Sequence, residues 1–228
     1  MRIAFFGGSF DPPHLGHTGI ALAATQRLRL DRVLMAPTGR QPLKEGQRVA
    51  PYTDRLAMVE LASRDHPPLE PSRLDAPRLD GGFNYTYDVL RQLAALHPEE
   101  ERYCLVGADS LETLPRWHRA AEALLLAEWI VAARPGFPLE KLAALLPAGV
   151  TAATPEAAGE ALVRVPLTGG GATGNLWMLP GLHYEISATR LRAALADGER
   201  GIAQTVLDPA VATYARSHAL YENPGEIR

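Results

Sequence analysis

A strand that stops at a glycine pair, then a helix, then a second strand, confines this chain to few folds. Residues 3–6 form an almost continuous apolar run ending at Gly7 and Gly8, the pattern of a strand buried on both faces. After a proline-rich turn, Ile20, Ala24 and Leu28 recur at helical spacing, and residues 32–36 read as a second strand stopped by Pro37. Strands joined by a crossover helix run parallel, and the crossover is right-handed.

The alternation continues. Residues 51–63 and 84–96 read as helices, and residues 102–106 as a strand ending at Gly107. Residues 120–126 are helical, and residues 129–133 form another strand, stopped by Arg134-Pro135-Gly136. A short helix is expected over 139–146, with weaker strands over 162–166 and 176–179, and the glycine run Gly169-Gly170-Gly171 reads as a flexible loop. Ser187 can cap a helix running toward Gly198, and Asp208-Pro209 is a cap followed by proline at the first helical position. In that last helix Val211, Tyr214, Ala215 and His218 share a face. No repeat or long linker divides the sequence, so residues 1–228 are expected to form one α/β domain with a parallel sheet and a mostly helical last part.

Charge and cysteine content narrow the function classes. Net charge is −3 with no block of five or six like charges, so the basic footprint of a nucleic-acid partner is missing. Cys104 is the only cysteine, which excludes an intrachain disulfide. The opening residues make too short an apolar run for a signal peptide. The longest apolar stretch elsewhere, residues 123–133, is interrupted by Glu128 and falls short of the roughly 18 residues of a spanning helix. A cytoplasmic protein without nucleic-acid or membrane partners is expected, and a homo-oligomer is compatible with the sequence.

Open parallel sheets bind ligands at the carboxyl ends of their strands. The first such end carries residues 7–17, GGSFDPPHLGH, in which two glycines permit close backbone approach and two prolines stiffen the turn. His14 and His17 stand three apart where the next helix begins, so both rings can join its free N–H groups at a phosphate site. The same pair suits a partial metal site or mere exposure, although no HExxH and no cysteine-rich partner exists. The GxGxxG fingerprint of dinucleotide binding is absent from this turn, and Gly169–Gly174 has P-loop glycine spacing but Asn175 where lysine is needed.

Residues 7–17 resemble the HxGH signature of the nucleotidyltransferase superfamily, and Ile186-Ser187-Ala188-Thr189-Arg190-Leu191-Arg192 resembles its second signature, ISSTxxR. Further segments, FNYTYDVL at 83–90, YCLVGADSLETLPRWH at 103–118, ARPGF at 133–137 and the closing 208–221, are similar to bacterial nicotinate-nucleotide adenylyltransferases. The resemblance implies a Rossmann-like, doubly wound parallel sheet of nucleotidyltransferase type with C-terminal helices. It also implies ATP and nicotinate mononucleotide as substrates, with Mg²⁺ accompanying ATP and no dedicated protein cage for the metal.

The resemblance carries residue roles with it. His14, His17 and Lys44 would be catalytic, and Gly7, Gly8, Ser9, Phe10, Ser187, Thr189 and Arg192 would bind ATP beside the two histidines. Thr86, Asp109, Trp117, His118 and Arg134 would receive nicotinate mononucleotide. Read without the resemblance, Ser187 is a helix cap, Asp109 another cap, Arg192 a solvated side chain and Trp117 a packing residue. The chain departs from the family at Leu43, where PPHK has histidine, at Ala188, where ISST has its second serine, and at Asn84, where serine is frequent. The rival readings are a sibling nucleotidyltransferase for another substrate and a nucleotide-sensing protein without turnover.

Overall fold

The computed structural model describes residues 1–44, 46, 49–133, 142–182, 188–196 and 205–221, with the backbone alone for Lys44. Its centre is β1 (Arg2–Gly8), whose parallel neighbours are β2 (Arg32–Pro37) and β4 (Glu101–Gly107). Beyond β2 lies β3 (Leu69–Pro71), and beyond β4 lie β5 (Glu128–Ala132) and then β9 (Ala172–Leu179), each parallel to the strand on its β1 side. The hairpin partner β8 (Leu162–Gly169) is antiparallel to β9 and pairs with the short strands β6 (Val150–Ala152) and β7 (Glu156–Gly159). The path β3-β2-β1-β4-β5-β9-β8-β6 reverses direction beside β1, which makes the gap between β1 and β4 the switch point.

Alternation along β1 assigns its side chains to opposite faces. Ile3 and Phe5 join one core with Leu90 and Leu93 of α3 (Thr86–Leu96) and Leu124 of α5 (Ala120–Leu126). Ala4 and Phe6 join the other, with Ala21, Ala24 and Leu28 of α1 (Leu15–Leu28) and Val59 of α2 (Tyr52–Ser63). Cys104, fully buried in β4, is a small core residue whose thiol burial pushes well above the usual range. A third cluster joins Met58 and Ala62 of α2 to Leu191 of α7 (Ala188–Ala196) and to Val211 and Ala215 of α8 (Pro209–Ser217). The Asp208 carboxylate caps α8 by accepting from the Ala210 N–H at 2.7 Å, as Asp-Pro at a helix start predicts.

Two expectations are corrected. The glycine run is a tight hairpin turn: Gly169 pairs with Ala172, and Gly170 and Gly171 have φ of 54° and 79°. Positive φ at both central residues matches the twist of the flanking strands and favours glycine there. The sheet is mostly rather than wholly parallel: β9 continues the parallel run from β5, and β8, β6 and β7 then add antiparallel strands. Of the helix expected over 139–146, the described portion is α6 (Leu142–Leu145). Among the described residues no helix is long and apolar enough to cross a membrane.

Candidate active site

The turn leaving β1 is held by side chains far from it in sequence. A Cβ at Gly7 would stand 2.5 Å from the Phe5 ring, so only glycine fits without displacing that ring. Phe10 has φ of 46°, costly for an aromatic residue, and burial of its ring keeps it there, edge-on to Phe6 and His17 at 5.4 and 4.9 Å. The Arg55 guanidinium, 2 % exposed, donates to the carbonyls of Ser9 at 2.8 Å, Thr38 at 2.9 Å and Ala50 at 3.0 Å. One buried cation therefore ties the ends of β1 and β2 to the segment entering α2. Its burial lowers the Arg55 pKa, and the nearby charges of Asp11 and Asp75 oppose that shift.

His14 occupies the position before α1, and its backbone N–H donates to Nδ1 of His17 at 3.2 Å. With Nδ1 accepting, the neutral His17 ring carries its proton on Nε2, so its donor is Nε2–H. The two rings lie 3.8 Å apart with 31° between their planes. Burial pushes the His14 pKa down to about 4, so His14 is neutral near pH 7.

A cleft of about 760 Å³ opens at the switch point. Gly7, Gly8, Ser9, Phe10, His14 and His17 line one side, and Gly107, Asp109 and Ser110 line the end of β4. Asp109 belongs to α4 (Ala108–Thr113) and is exposed. Ala188, Thr189 and Arg192 of α7 complete the wall. Arg192 donates to the backbone carbonyl of Asp11 at 3.0 Å and to Thr189 Oγ1 at 3.3 Å, and stands 3.8 Å from Asp11 Oδ2.

The remaining residues lie off this cleft or outside the described residues. Thr86 opens α3 after Tyr85, and the exposed His118 ring lies 4.5 Å from the Tyr85 ring, so these residues gather at one place. Trp117 ends the 3₁₀ turn Leu114–Arg116, half-buried against the core of α3 and α5, its Nε1 donating to Thr113 Oγ1 at 3.0 Å. Lys44 ends the 3₁₀ turn Pro42–Lys44, but its side chain, Ser187 and Arg134 lie outside the described residues. Among the described residues no group of three or more His, Cys, Asp or Glu could hold a metal ion.

Several residues of the site have no role assigned from the sequence. Asp11 is 2 % exposed, and its Oδ1 accepts from the Ala50 N–H at 3.1 Å and the Tyr221 hydroxyl at 2.8 Å. Asn84 donates to the carbonyls of Asp75 and Ala76 at 3.3 and 2.8 Å and accepts from the Arg40 N–H at 3.1 Å, tethering the segment before Thr86. Burial pushes the Asp75 carboxyl up to about 7, against hydrogen bonds from Thr38 and Asn84 and the charge of Arg55. A legible signal exists for Arg55, a charge sharing the buried helix face of Val59 and Ala62. Nothing local marks Tyr221.

The cytidylyltransferase-like family model matches residues 5–194. A curated relative from Roseiflexus sp. (strain RS-1) is 38% identical over 96% of this chain and 97% of its own length. One from Solibacter usitatus (strain Ellin6076) is 35% identical over 97% of this chain and 100% of its own. A third, from Geobacillus thermodenitrificans (strain NG80-2), is 41% identical, with 61% of this chain matched to 63% of that protein's length. Each bears the name "Probable nicotinate-nucleotide adenylyltransferase". The Plasmodium falciparum nicotinic acid mononucleotide adenylyltransferase complexed with NaAD has the same fold, with a TM-score of 0.69 and 17% identity over 96% of this chain and 97% of that one.

Proposed function

The chain belongs to the cytidylyltransferase-like family and, within it, to the nicotinate-nucleotide adenylyltransferases, and we infer that it transfers the adenylyl group of ATP to nicotinate mononucleotide. The products are nicotinate adenine dinucleotide and pyrophosphate, a step of NAD biosynthesis, carried out in the cytoplasm by a single domain. One observation carries this reading: a histidine pair at a helix N-terminus faces Thr189 and Arg192 across a cleft at the switch point.

In the reaction a phosphate oxygen of nicotinate mononucleotide attacks the α-phosphorus of ATP. A new P–O bond forms, the bond from the α-phosphorus to the bridging oxygen breaks, and pyrophosphate leaves with the electron pair. The attacking phosphate is already ionised near neutral pH, so alignment and charge stabilisation suffice. Nε2–H of His17 is the donor for the α-phosphate, and the His14 N–H orients that ring through Nδ1. His14 and Lys44 assist on phosphates. Gly7 and Gly8 let the ATP phosphates approach the backbone beside Ser9 and Phe10, while Ser187, Thr189 and Arg192 receive the β- and γ-phosphates. Asp109, lining the same cleft at the end of β4, would receive a hydroxyl of nicotinate mononucleotide or stand beside an ion held chiefly by phosphate oxygens and water. Mg²⁺ bound there would neutralise charge on the departing pyrophosphate. Thr86 and His118 offer backbone N–H groups to the nicotinate carboxylate, Trp117 a ring for its pyridine and Arg134 a cation for its phosphate.

Pyrophosphate release by the purified protein with Mg²⁺ and ATP tests this reading. Nicotinate mononucleotide should give at least a tenfold higher kcat/KM than the nicotinamide form, whose amide sets donors against donors. Equal values for the two substrates would remove the specificity, and no release with either would remove the activity.

A further inference from the structure

The segment after α8 returns to the cleft. Ala219 and Leu220 donate to the carbonyls of Arg216 and Ala215 at 3.0 and 2.9 Å, and Ala219 and Tyr221 have φ of 50° and 75°. A non-glycine residue in the left-handed region persists where its surroundings hold it. Here the reward is visible: the Tyr221 hydroxyl reaches the nearly inaccessible Asp11 carboxylate, 210 residues away in the chain, at 2.8 Å. Asp11 in turn receives Arg192 on its backbone carbonyl at 3.0 Å and has Oδ2 at 3.8 Å from the same guanidinium. Its Oδ2 has no other partner among the described residues.

The same helix anchors the other end of this chain of contacts. Val211 and Ala215 of α8 share a buried cluster with Leu191, the residue before Arg192, and with Met58 and Ala62 of α2. The Tyr214 hydroxyl donates to Asp54 of α2 at 2.9 Å. The C-terminal helix thus fixes both the backbone that carries Arg192 and the carboxylate against which Arg192 rests.

We propose that Tyr221 is a positioning residue for ATP, holding the Asp11 carboxylate and through it the Arg192 guanidinium on the cleft wall. This rests on the assignment of Arg192 to the ATP phosphates. Burial and the Asp11 charge push the Tyr221 hydroxyl pKa up, so it stays a donor at every working pH. Arg192 would otherwise be a long side chain with several rotamers beside a cleft, and a fixed carboxylate reduces that freedom before ATP arrives.

Tyr221→Phe removes the hydroxyl and keeps the ring. Calorimetric binding of Mg²⁺-ATP without the second substrate should weaken roughly tenfold, the scale of one hydrogen bond to a charged group. The KM for nicotinate mononucleotide should stay within about twofold. The decisive measurement is the double-mutant cycle with Arg192→Lys, which shortens the hydrogen-bonding reach of the side chain. If Tyr221 acts through Arg192, adding Tyr221→Phe to Arg192→Lys weakens ATP binding by less than about twofold more. Wild-type ATP affinity in Tyr221→Phe overturns the proposal, as do losses that multiply in the double variant. A lowered melting temperature with unchanged ATP affinity overturns it too, since the bond would then serve folding alone. Because binding needs no turnover, a protein that binds ATP yet fails to use nicotinate mononucleotide refutes the reaction and leaves Tyr221 testable.

Discussion

Replacing Asp75 by asparagine removes a carboxyl whose proton links stability to pH. Asp75 is 5 % exposed, and burial raises its pKa from 3.8 to about 7. The unfolded chain releases this proton near 3.8 and the folded state holds it to about pH 7, so over that window the unfolded state binds fewer protons. Stability from this group is therefore fully present below pH 3.8 and is lost as pH rises through about 7. Between about pH 5 and about pH 8 the loss amounts to about 2.5 kcal/mol. His14 has the opposite slope: with its pKa lowered from 6.5 to about 4, its contribution is present above pH 6.5 and lost as pH falls toward 4. His14 is common to both proteins and cancels in their difference. Urea denaturation of wild type and Asp75→Asn at several pH values gives that difference directly. The variant should gain on the wild type by about 2.5 kcal/mol between about pH 5 and pH 8, because asparagine keeps the shape and cannot titrate. Parallel pH profiles for the two proteins would refute the reasoning.

Two further substitutions probe the substrate sites. His17→Ala should lower kcat by roughly 10²-fold while KM for ATP changes much less, measured by pyrophosphate release, as expected for a donor that acts mainly in the transition state. Trp117→Ala should raise KM for nicotinate mononucleotide about tenfold with ATP affinity unchanged, by the scale of ring stacking. A large fall in melting temperature with that KM unchanged would instead assign the half-buried indole to packing alone.

The elements that the sequence reveals best are those with a local cause. The residue 3–6 run, the helix with Ile20, Ala24 and Leu28, and the strand ending at Gly107 all appear within two residues of their expected bounds, except that α1 begins at Leu15. The short strands β3, β6 and β7, of three, three and four residues, escaped because their stability comes from partner strands, not from their own pattern. The turn after β1 was legible because glycine, proline and histidine each restrict local geometry or chemistry. Its supports were less so: the charge of Arg55 on a buried helix face is visible, but the contacts of Arg55 with Ser9 and of Asp11 with Tyr221 join distant positions and leave no local trace.

The family departure at Asn84 follows the same logic. A serine hydroxyl donates one hydrogen bond, whereas the Asn84 amide donates to two carbonyls and accepts from a backbone N–H. That amide joins the residue 75–76 backbone to Arg40, and the Gly39 N–H adds a bond to the Asp75 carbonyl at 2.8 Å. The close approach requires glycine, since a Cβ at Gly39 would lie 2.6 Å from the Pro77 backbone. Arg55 reaches the same junction through the Thr38 carbonyl and the turn after β1 through the Ser9 carbonyl. The segment leading to Thr86 and the turn leading to His14 thus hang from one buried guanidinium. A reaction that aligns two bound phosphates needs its two substrate loops fixed relative to each other, and misplacement by about 1 Å can cost about 10²-fold in rate. Side-chain bonds to backbone meet that need in a way that hydrophobic contact, which is non-directional, cannot.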